Sequence, residues 1–310
     1  MQKNSPGSTK GSPHPVTLNP LSGLTRRLAA LWPKRATRVV LAVVVAGLFA
    51  VSAAHAAPTS TLYMVDNTSG PPSQLWTVQG GTGVITSTPI GAWDEAIAVT
   101  NTIKTLGWDW GDTGLGVSGS QYTLSGVPTG TTYSNPLPGS IFFDGASDGT
   151  NNYSVDWNTG TVYKFNGSWA NPTVLFTDNL GGAGDKGITY DTTNNTLWLD
   201  NTWNNELYHY TLNGTLISSF LLNPDVSGDY AYSGLALDPA DHTLWVWDGI
   251  NSLEQFSQNG VLLSSLFVSN TEQFQGMEFA EATPTPIPGA LLLFGPGLAG
   301  LAFVRRRFGK

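Results

Sequence analysis

Ten tryptophans, two histidines and a dense set of carboxylates lie between Ala57 and Glu281 of this 310-residue chain, which contains no cysteine. A thiolate nucleophile, a thiolate metal site and a disulfide framework are therefore excluded. His209 stands between Tyr208 and Tyr210, where strand alternation turns it to the face opposite both tyrosines, and His242 stands in the turn after Pro239. No Gly-x-Ser-x-Gly elbow and no His-Glu-x-x-His occurs, so neither histidine has a partner set for acyl transfer or zinc hydrolysis. Paired carboxylates could cleave a glycosidic bond or hold a cation, and three pairs are close in sequence: Asp94 with Glu95, Asp109 with Asp112, and Asp144 with Asp148. The last pair lies in Asp144-Gly145-Ala146-Ser147-Asp148-Gly149, a glycine-rich loop with oxygens at short spacing. That loop is the candidate calcium site, although it lacks the Asp-x-Asp-x-Asp order and closing Glu of an EF-hand, and a plain β-turn is the alternative. No other cofactor is expected.

The tryptophans offer different chemistry. A flat aromatic face can stack on a sugar ring while neighbouring Asp and Asn take the hydroxyls. Trp93 and Trp203, in polar loops, and Trp108 with Trp110, on one face of Trp-Asp-Trp, are the candidate ligand residues. Trp198 and Trp245 are expected to pack between sheets. All 22 acidic residues fall between Asp66 and Glu281, against Lys104, Lys164 and Lys186 as the only bases there, a net of 19 negative charges. Such a domain repels nucleic acid and anionic membrane surfaces, and suits neutral, hydroxyl-rich ligands or divalent cations.

The elements that must position these residues are strands. Short alternating runs are broken by Asn-Gly, Asp-Gly and Asn-Thr-Gly turns, an all-β pattern. Two segments align nearly residue for residue, with first glycines 47 residues apart: Gly187 to Asp191 followed by TNNTLWLDNTWNNELYHYTLNGTLISSFLL, and Gly234 to Asp238 followed by ADHTLWVWDGINSLEQFSQNGVLLSSLFV. Each reads as four strands, which is how a propeller blade repeats. A looser copy begins near Gly139, and the poorest is centred on TLGWDWGD. Gly276 to Ala280 supplies a first strand with no blade after it, while Thr61 to Asp66, QLWTV and GVITST supply three strands with none before. Joined, they make one blade from both ends of the domain and cover two open edges. The expected fold is a β-propeller of about five four-stranded blades over residues 57–281. A Greek-key sandwich is the competing architecture, but it leaves the complementary termini unexplained. The Gly-x-x-x-Asp and Thr-Leu-Trp strands are similar to those of propellers of the NHL and gluconolactonase-like kind, which implies fold class alone.

The flanks address the domain. Residues 1–56 read as a signal peptide behind a long disordered leader: Arg26, Arg27, Lys34, Arg35 and Arg38 precede the apolar run VVLAVVVAGLFAVSAA, and Ala54-His55-Ala56 forms the cleavage site. The secretion translocon is then a partner. Residues 282–310 end in PIPGALLLFGPGLAGLAFVRRRFGK. The uncharged segment 289–304 would span about 24 Å as a helix against a hydrocarbon core of about 30 Å, and Arg305, Arg306 and Arg307 would stay on the cytoplasmic side.

This tail resembles the PEP-CTERM sorting signal of Gram-negative bacteria, in which a Pro-containing motif precedes one hydrophobic helix and a terminal arginine cluster. Pro286-Ile287-Pro288 stands for the motif, and Ala290, Leu291, Leu293, Phe294, Gly295, Gly297, Leu298 and Gly300 follow the family pattern. The acidic motif residue is absent and Pro296 interrupts the helix. The resemblance implies an exosortase as partner, transient residence in the inner membrane, and release to the cell surface or an extracellular polysaccharide layer. The expected function is an exported, non-enzymatic propeller that binds glycan or serves structurally. A divalent-metal-dependent hydrolase or lactonase and a protein-interaction scaffold are the alternatives.

Overall fold

The computed structural model describes residues 57–66, 73–91, 94–107, 118–180, 183–222, 233–269 and 273–280. The expected leader, the cleavage site expected at Ala54 and Ala56, and the whole of the expected sorting tail lie outside the described residues, as do Trp93, Trp108, Asp109, Trp110 and Asp112. Among the described residues no helix is long and apolar enough to cross a membrane.

The chain forms five four-stranded antiparallel sheets, a five-bladed β-propeller. Blade A is built from both ends of the domain: β1 (Leu62–Asp66), β2 (Gln74–Val78) and β3 (Ile85–Pro89) are completed on the inside by β20 (Phe274–Phe279). Blade B holds β4 (Asp94–Val99), β5 (Ile103–Gly107), β6 (Ser118–Tyr122) and β7 (Pro128–Ser134). Blade C holds β8 (Ala146–Ser147), β9 (Asn151–Asp156), β10 (Thr161–Asn166) and β11 (Thr173–Thr177). Blade D holds β12 (Asp185–Asp191), β13 (Thr196–Asn201), β14 (Glu206–Thr211) and β15 (Leu216–Leu221), and blade E holds β16 (Leu235–Leu237), β17 (Leu244–Trp247), β18 (Ser252–Phe256) and β19 (Leu262–Phe267).

Each strand answers to its place in the ring. A single sheet packed between two neighbouring blades buries both of its faces, and β4, β13 and β20 are buried throughout. Five apolar clusters result, one between each pair of adjacent blades. Trp198 and Trp245 take equivalent places in the D–E and E–A clusters and are fully buried, as their repeat positions predict. Truncating either removes a side chain of the size that costs about 3–5 kcal/mol. Trp247 is buried as well, edge-on to Phe274 at 4.7 Å. His209 stacks on Trp198 with ring centroids 4.0 Å apart and meets Thr196 at 2.7 Å, so its work is packing. Burial pulls it below the ordinary histidine range.

Joining of the termini is realised as an antiparallel ladder, Leu62 opposite Phe279, Tyr63 opposite Glu278 and Met64 opposite Met277. Just before β1, the amides of Thr59 and Ser60 donate to Asp238 Oδ2 at 2.8 and 2.9 Å, and the Ser60 hydroxyl donates to Oδ1 at 2.6 Å, so the first residues of the domain are tied to blade E.

Blade B departs from the repeat read in the sequence. Its inner strand is DEAIAV at 94–99, ahead of TLGWDWGD, whose Thr105-Leu106-Gly107 ends β5; Ala96 stands where the other blades carry the glycine of the opening motif. That glycine exists for close approach: a Cβ on Gly276 would collide with the carbonyl oxygen of Glu95 in blade B.

The inner strands β20, β4, β8, β12 and β16 surround the axis and present free edges to it. Two carboxylates occupy that space. Asp144 Oδ1 accepts the amides of Gly145 and Met277, both at 2.8 Å, and Oδ2 accepts those of Leu235 at 3.0 Å and Ile188 at 3.1 Å. Glu278 accepts the amide of Ser147 at 2.6 Å and that of Val99. Between them they take donors from all five blades. The Asp144→Ala substitution leaves buried amides without acceptors, at about 1–3 kcal/mol each. Urea unfolding of that variant is expected to show a loss above about 4 kcal/mol, a large part of a typical domain's stability. A loss below 1 kcal/mol would remove Asp144 from this role.

Candidate functional site

Asp144 and Asp148, nominated together for calcium, are placed in separate settings and neither offers a cation site. Asp144 is enclosed by amide donors, as above. Asp148 accepts the amides of Thr150 and Asn151 at 2.8 and 2.6 Å, the Asn151 side-chain amide at 3.0 Å and the Tyr153 hydroxyl at 2.6 Å. Oxygens ringed by N–H and O–H donors present positive partial charge to the space a cation would need. The loop is a β-turn, and among the described residues no group of three or more His, Cys, Asp or Glu could hold a metal ion. Asp94 and Glu95 are adjacent but do not act as a pair. Asp94 accepts the Tyr122 hydroxyl within its own sheet, and burial raises it to about 6. Glu95 is fully buried and its two oxygens receive no protein hydrogen bond. Burial raises it well above the ordinary carboxylate range, and the nearby Lys186 pulls it only part of the way back.

Of the nominated tryptophans, the described one is exposed. Trp203 is 56% accessible, in the turn joining β13 to β14 at the end of the ring where the inner strands begin. An Asn turn builds it: Asn201 Oδ1 accepts the amides of Trp203 and Asn204 at 3.1 and 3.0 Å, while Asn201 Nδ2 donates to Asp185 at 2.8 Å. Gly184, with φ of +103°, passes so close under the indole that a Cβ there would lie 2.8 Å from Trp203 Cδ2. Only glycine fits both the dihedral and the space. The indole is thus seated on backbone rather than left to swing.

Behind Trp203 runs a line of rings toward the axis. Trp157, in the corresponding turn of blade C, meets Trp203 at 6.0 Å and Phe143 at 5.7 Å, both near edge-on. The Lys186 ammonium stands 5.0 Å from the Phe143 ring centre and 5.7 Å from that of Trp157, a double cation–π setting in a buried place. Acidic groups flank the lysine. Asp200 accepts the Gly187 amide at 2.6 Å, and burial raises it to about 7 against the pull of that amide and of Lys186. Burial also raises Asp185 well above its ordinary range, with Asp178 adding to the rise. Asp178 itself accepts the Tyr210 hydroxyl at 2.6 Å and the Leu180 amide at 2.8 Å.

The arrangement offers one exposed, rigid aromatic face bordered by amides and carboxylates, and beneath it a lysine and a carboxyl titrating near neutrality. Sequence reasoning found Trp203 but missed Lys186, Asp200, Asp185, Trp157 and Phe143. A signal was present for one of them: Lys186 is one of three bases in an acidic domain, and it directly precedes the repeat glycine, where the sister blades carry Ser233 and Gln275.

No protein-family model matches the chain, and no curated protein matches it. Solved structures are similar to it in fold. Virginiamycin B lyase from Staphylococcus aureus is 15% identical with a TM-score of 0.41, and the match covers 66% of each chain, so this chain spans about two thirds of the lyase's length. A streptogramin B lyase is 12% identical with a TM-score of 0.42, covering 69% of this chain and 72% of the other. Glutaminyl cyclase from Myxococcus xanthus is 16% identical with a TM-score of 0.39, covering 61% and 71%. The expectation that the domain is not an enzyme is withdrawn: the solved structures similar to it in fold include two lyases and a cyclase, and the similarity shows the fold alone.

The burial of Asp200 carries a pH dependence. Its carboxyl titrates at about 7 in the folded chain against 3.8 unfolded, so the folded state holds the proton more tightly and stability falls as pH rises from about 4 to about 7. Asp200→Asn abolishes that contribution. Relative to the parent, the variant is expected to gain stability progressively over this window, by at most about 4 kcal/mol, and to show a constant difference above it. Denaturant unfolding at pH 4, 5.5, 7 and 8 reads this directly; a parent-to-variant difference independent of pH refutes it.

Proposed function

We propose that this chain is an exported propeller, sorted through its C-terminal tail by an exosortase, that binds neutral polysaccharide at the Trp203 face. The exposed, backbone-seated Trp203 is the observation that carries the ligand reading. An aromatic ring held in place loses little freedom on stacking, and neighbouring Asn204 and Glu206 supply an amide and a carboxylate as partners for hydroxyls. The net negative charge of the domain supports an uncharged ligand. Export and sorting rest on the leader and on Pro286-Ile287-Pro288, the apolar segment and Arg305 to Arg307.

The geometry of the ring fits this assignment. β1 begins and β20 ends at the same end of the propeller, opposite the turn that holds Trp203. A domain tethered through either terminus then turns its Trp203 face away from the membrane, toward polysaccharide.

Two measurements test the reading separately. Intact mass of protein extracted from the cell surface is expected to show loss of residues 1–56 and of the segment after about Pro288; a mass retaining the tail would replace sorting by permanent anchoring. Pull-down with the producer's own neutral polysaccharide is expected to weaken at least about tenfold for Trp203→Ala, equivalent to about 1.4 kcal/mol, with an unchanged melting temperature. Equal retention of parent and variant would move the ligand away from this face. Assaying released reducing ends in the same samples distinguishes binding from turnover.

A further inference from the structure

The residue directly before the repeat glycine, or before Ala96 in blade B, is polar in every blade: Gln275, Glu95, Asp144, Lys186 and Ser233 in blades A to E. All five are buried, none more than 2% exposed. Polar side chains from five inner strands thus converge at one level of the ring, where burial alone gives no reason for them. In three blades the inner strand breaks register at this residue. The shift falls at Glu95 between Asp94 and Ala96, at Lys186 between Asp185 and Ile188, and at Gln275, which has no opposite residue on β1. A bulge leaves its extra residue out of the ladder and re-aims the side chain.

Two of the five are occupied in place. Asp144 turns along the axis to the amides one level further on, those of Ile188, Leu235 and Met277, and closes the ring on that side. The Ser233 hydroxyl donates to the Phe274 carbonyl at 2.7 Å. Glu95 and Gln275 differ: neither carboxyl oxygen of Glu95, nor Oε1 of Gln275, receives a protein hydrogen bond. Lys186 belongs to blade D, which does not adjoin blade B, yet its charge acts on Glu95. The two therefore face one another across the axis, and not within an interface between neighbouring blades.

Three acceptors beside one ammonium define what complements them. A buried acceptor without a donor is costly, and a group that donates to it recovers that free energy. A cation at this place meets Lys186, and an anion meets Glu95. Hydroxyls suit all the groups, because they donate to carboxyl and amide oxygens and accept from an ammonium. The two oxygens of Glu95 stand side by side, so each can take one hydrogen from a pair of adjacent hydroxyls on a sugar ring.

We propose that this end of the axis is a second binding site, for the adjacent hydroxyls of a terminal or free neutral sugar, held by both oxygens of Glu95 with Oε1 of Gln275 and the Lys186 ammonium. Asp144 closes the ring beyond it, so the sugar enters from one side and is a chain end or a monosaccharide. The site goes beyond the Trp203 face and shares no residue with it.

Titration calorimetry of the full chain in mild detergent tests this with methyl glucoside, methyl galactoside and methyl mannoside, and with ammonium chloride and sodium acetate as singly charged probes. At least one glycoside is expected to bind with a Kd of about 10 mM or tighter. Glu95→Gln keeps the shape but replaces one acceptor by a donor, and is expected to weaken that binding at least about tenfold. No binding of any glycoside at about 100 mM, equal affinity in parent and variant, or Glu95-dependent binding of ammonium or acetate in place of a glycoside overturns the inference. Should Glu95→Gln fail to fold, the side-chain carboxyl resonance of Glu95 in carbon-13-labelled parent decides: it is expected to shift with glycoside concentration, and a resonance that stays put refutes the site. Glycoside binding here together with unaltered polysaccharide retention by Trp203→Ala strikes only the Trp203 reading, and the converse pair of results strikes only this one.

Discussion

Five inner strands meet at the axis of this ring with no ladder between them, and the amides on those edges must be satisfied by something else. Asp144 and Glu278 do this. Asp144 binds its own blade and blades D, E and A, while Glu278, carried by blade A, reaches blades B and C. The axis is thus held by acceptors that cross from blade to blade, and the apolar clusters between blades pack around a frame already joined at its centre. Charge-assisted bonds to amides in a low-dielectric place are among the stronger contacts a protein can make. Burial opposes them, raising Asp144 well above its usual range, and the four amides offset part of that cost.

The same economy explains why the site reads as it does. Several polar groups at the top of the ring meet a partner there: Asp200 on the Gly187 amide, Asp178 on Tyr210, Lys186 against two aromatic rings. Glu95 differs from these, fully buried with no protein donor on either carboxyl oxygen. Burial raises it well above the ordinary carboxylate range, because such a place penalises the charged form.

Much of the fold was legible because the blade repeats itself. Gly187 and Gly234 announce two blades with nearly the same residues, and the orphan strand at Gly276 finds its missing partners at Thr61 to Asp66. Blade B was hidden by one substitution, Ala96 for the motif glycine, which erased the signal while keeping the strand. The site was less legible. Trp203 showed itself through its polar surroundings, but Lys186, Asp200, Phe143 and Trp157 lie far apart in sequence and meet only because neighbouring blades converge at the axis. Asp144 was misread for the same reason: spacing to Asp148 suggested a cation loop, whereas its true partners stand 44, 91 and 133 residues away.

The ladder between β1 and β20 has a mechanical side. Leu62, at the start of one strand, lies opposite Phe279, at the end of the other, so both chain ends emerge from the same end of the ladder. A force drawing the ends apart loads one pair of hydrogen bonds at a time, as in opening a zip, rather than shearing all of them together. A domain pulled by both of its ends at once would open at blade A first. Tension borne by a single end bypasses that weak direction, because the load passes through the strand pair into the other four blades.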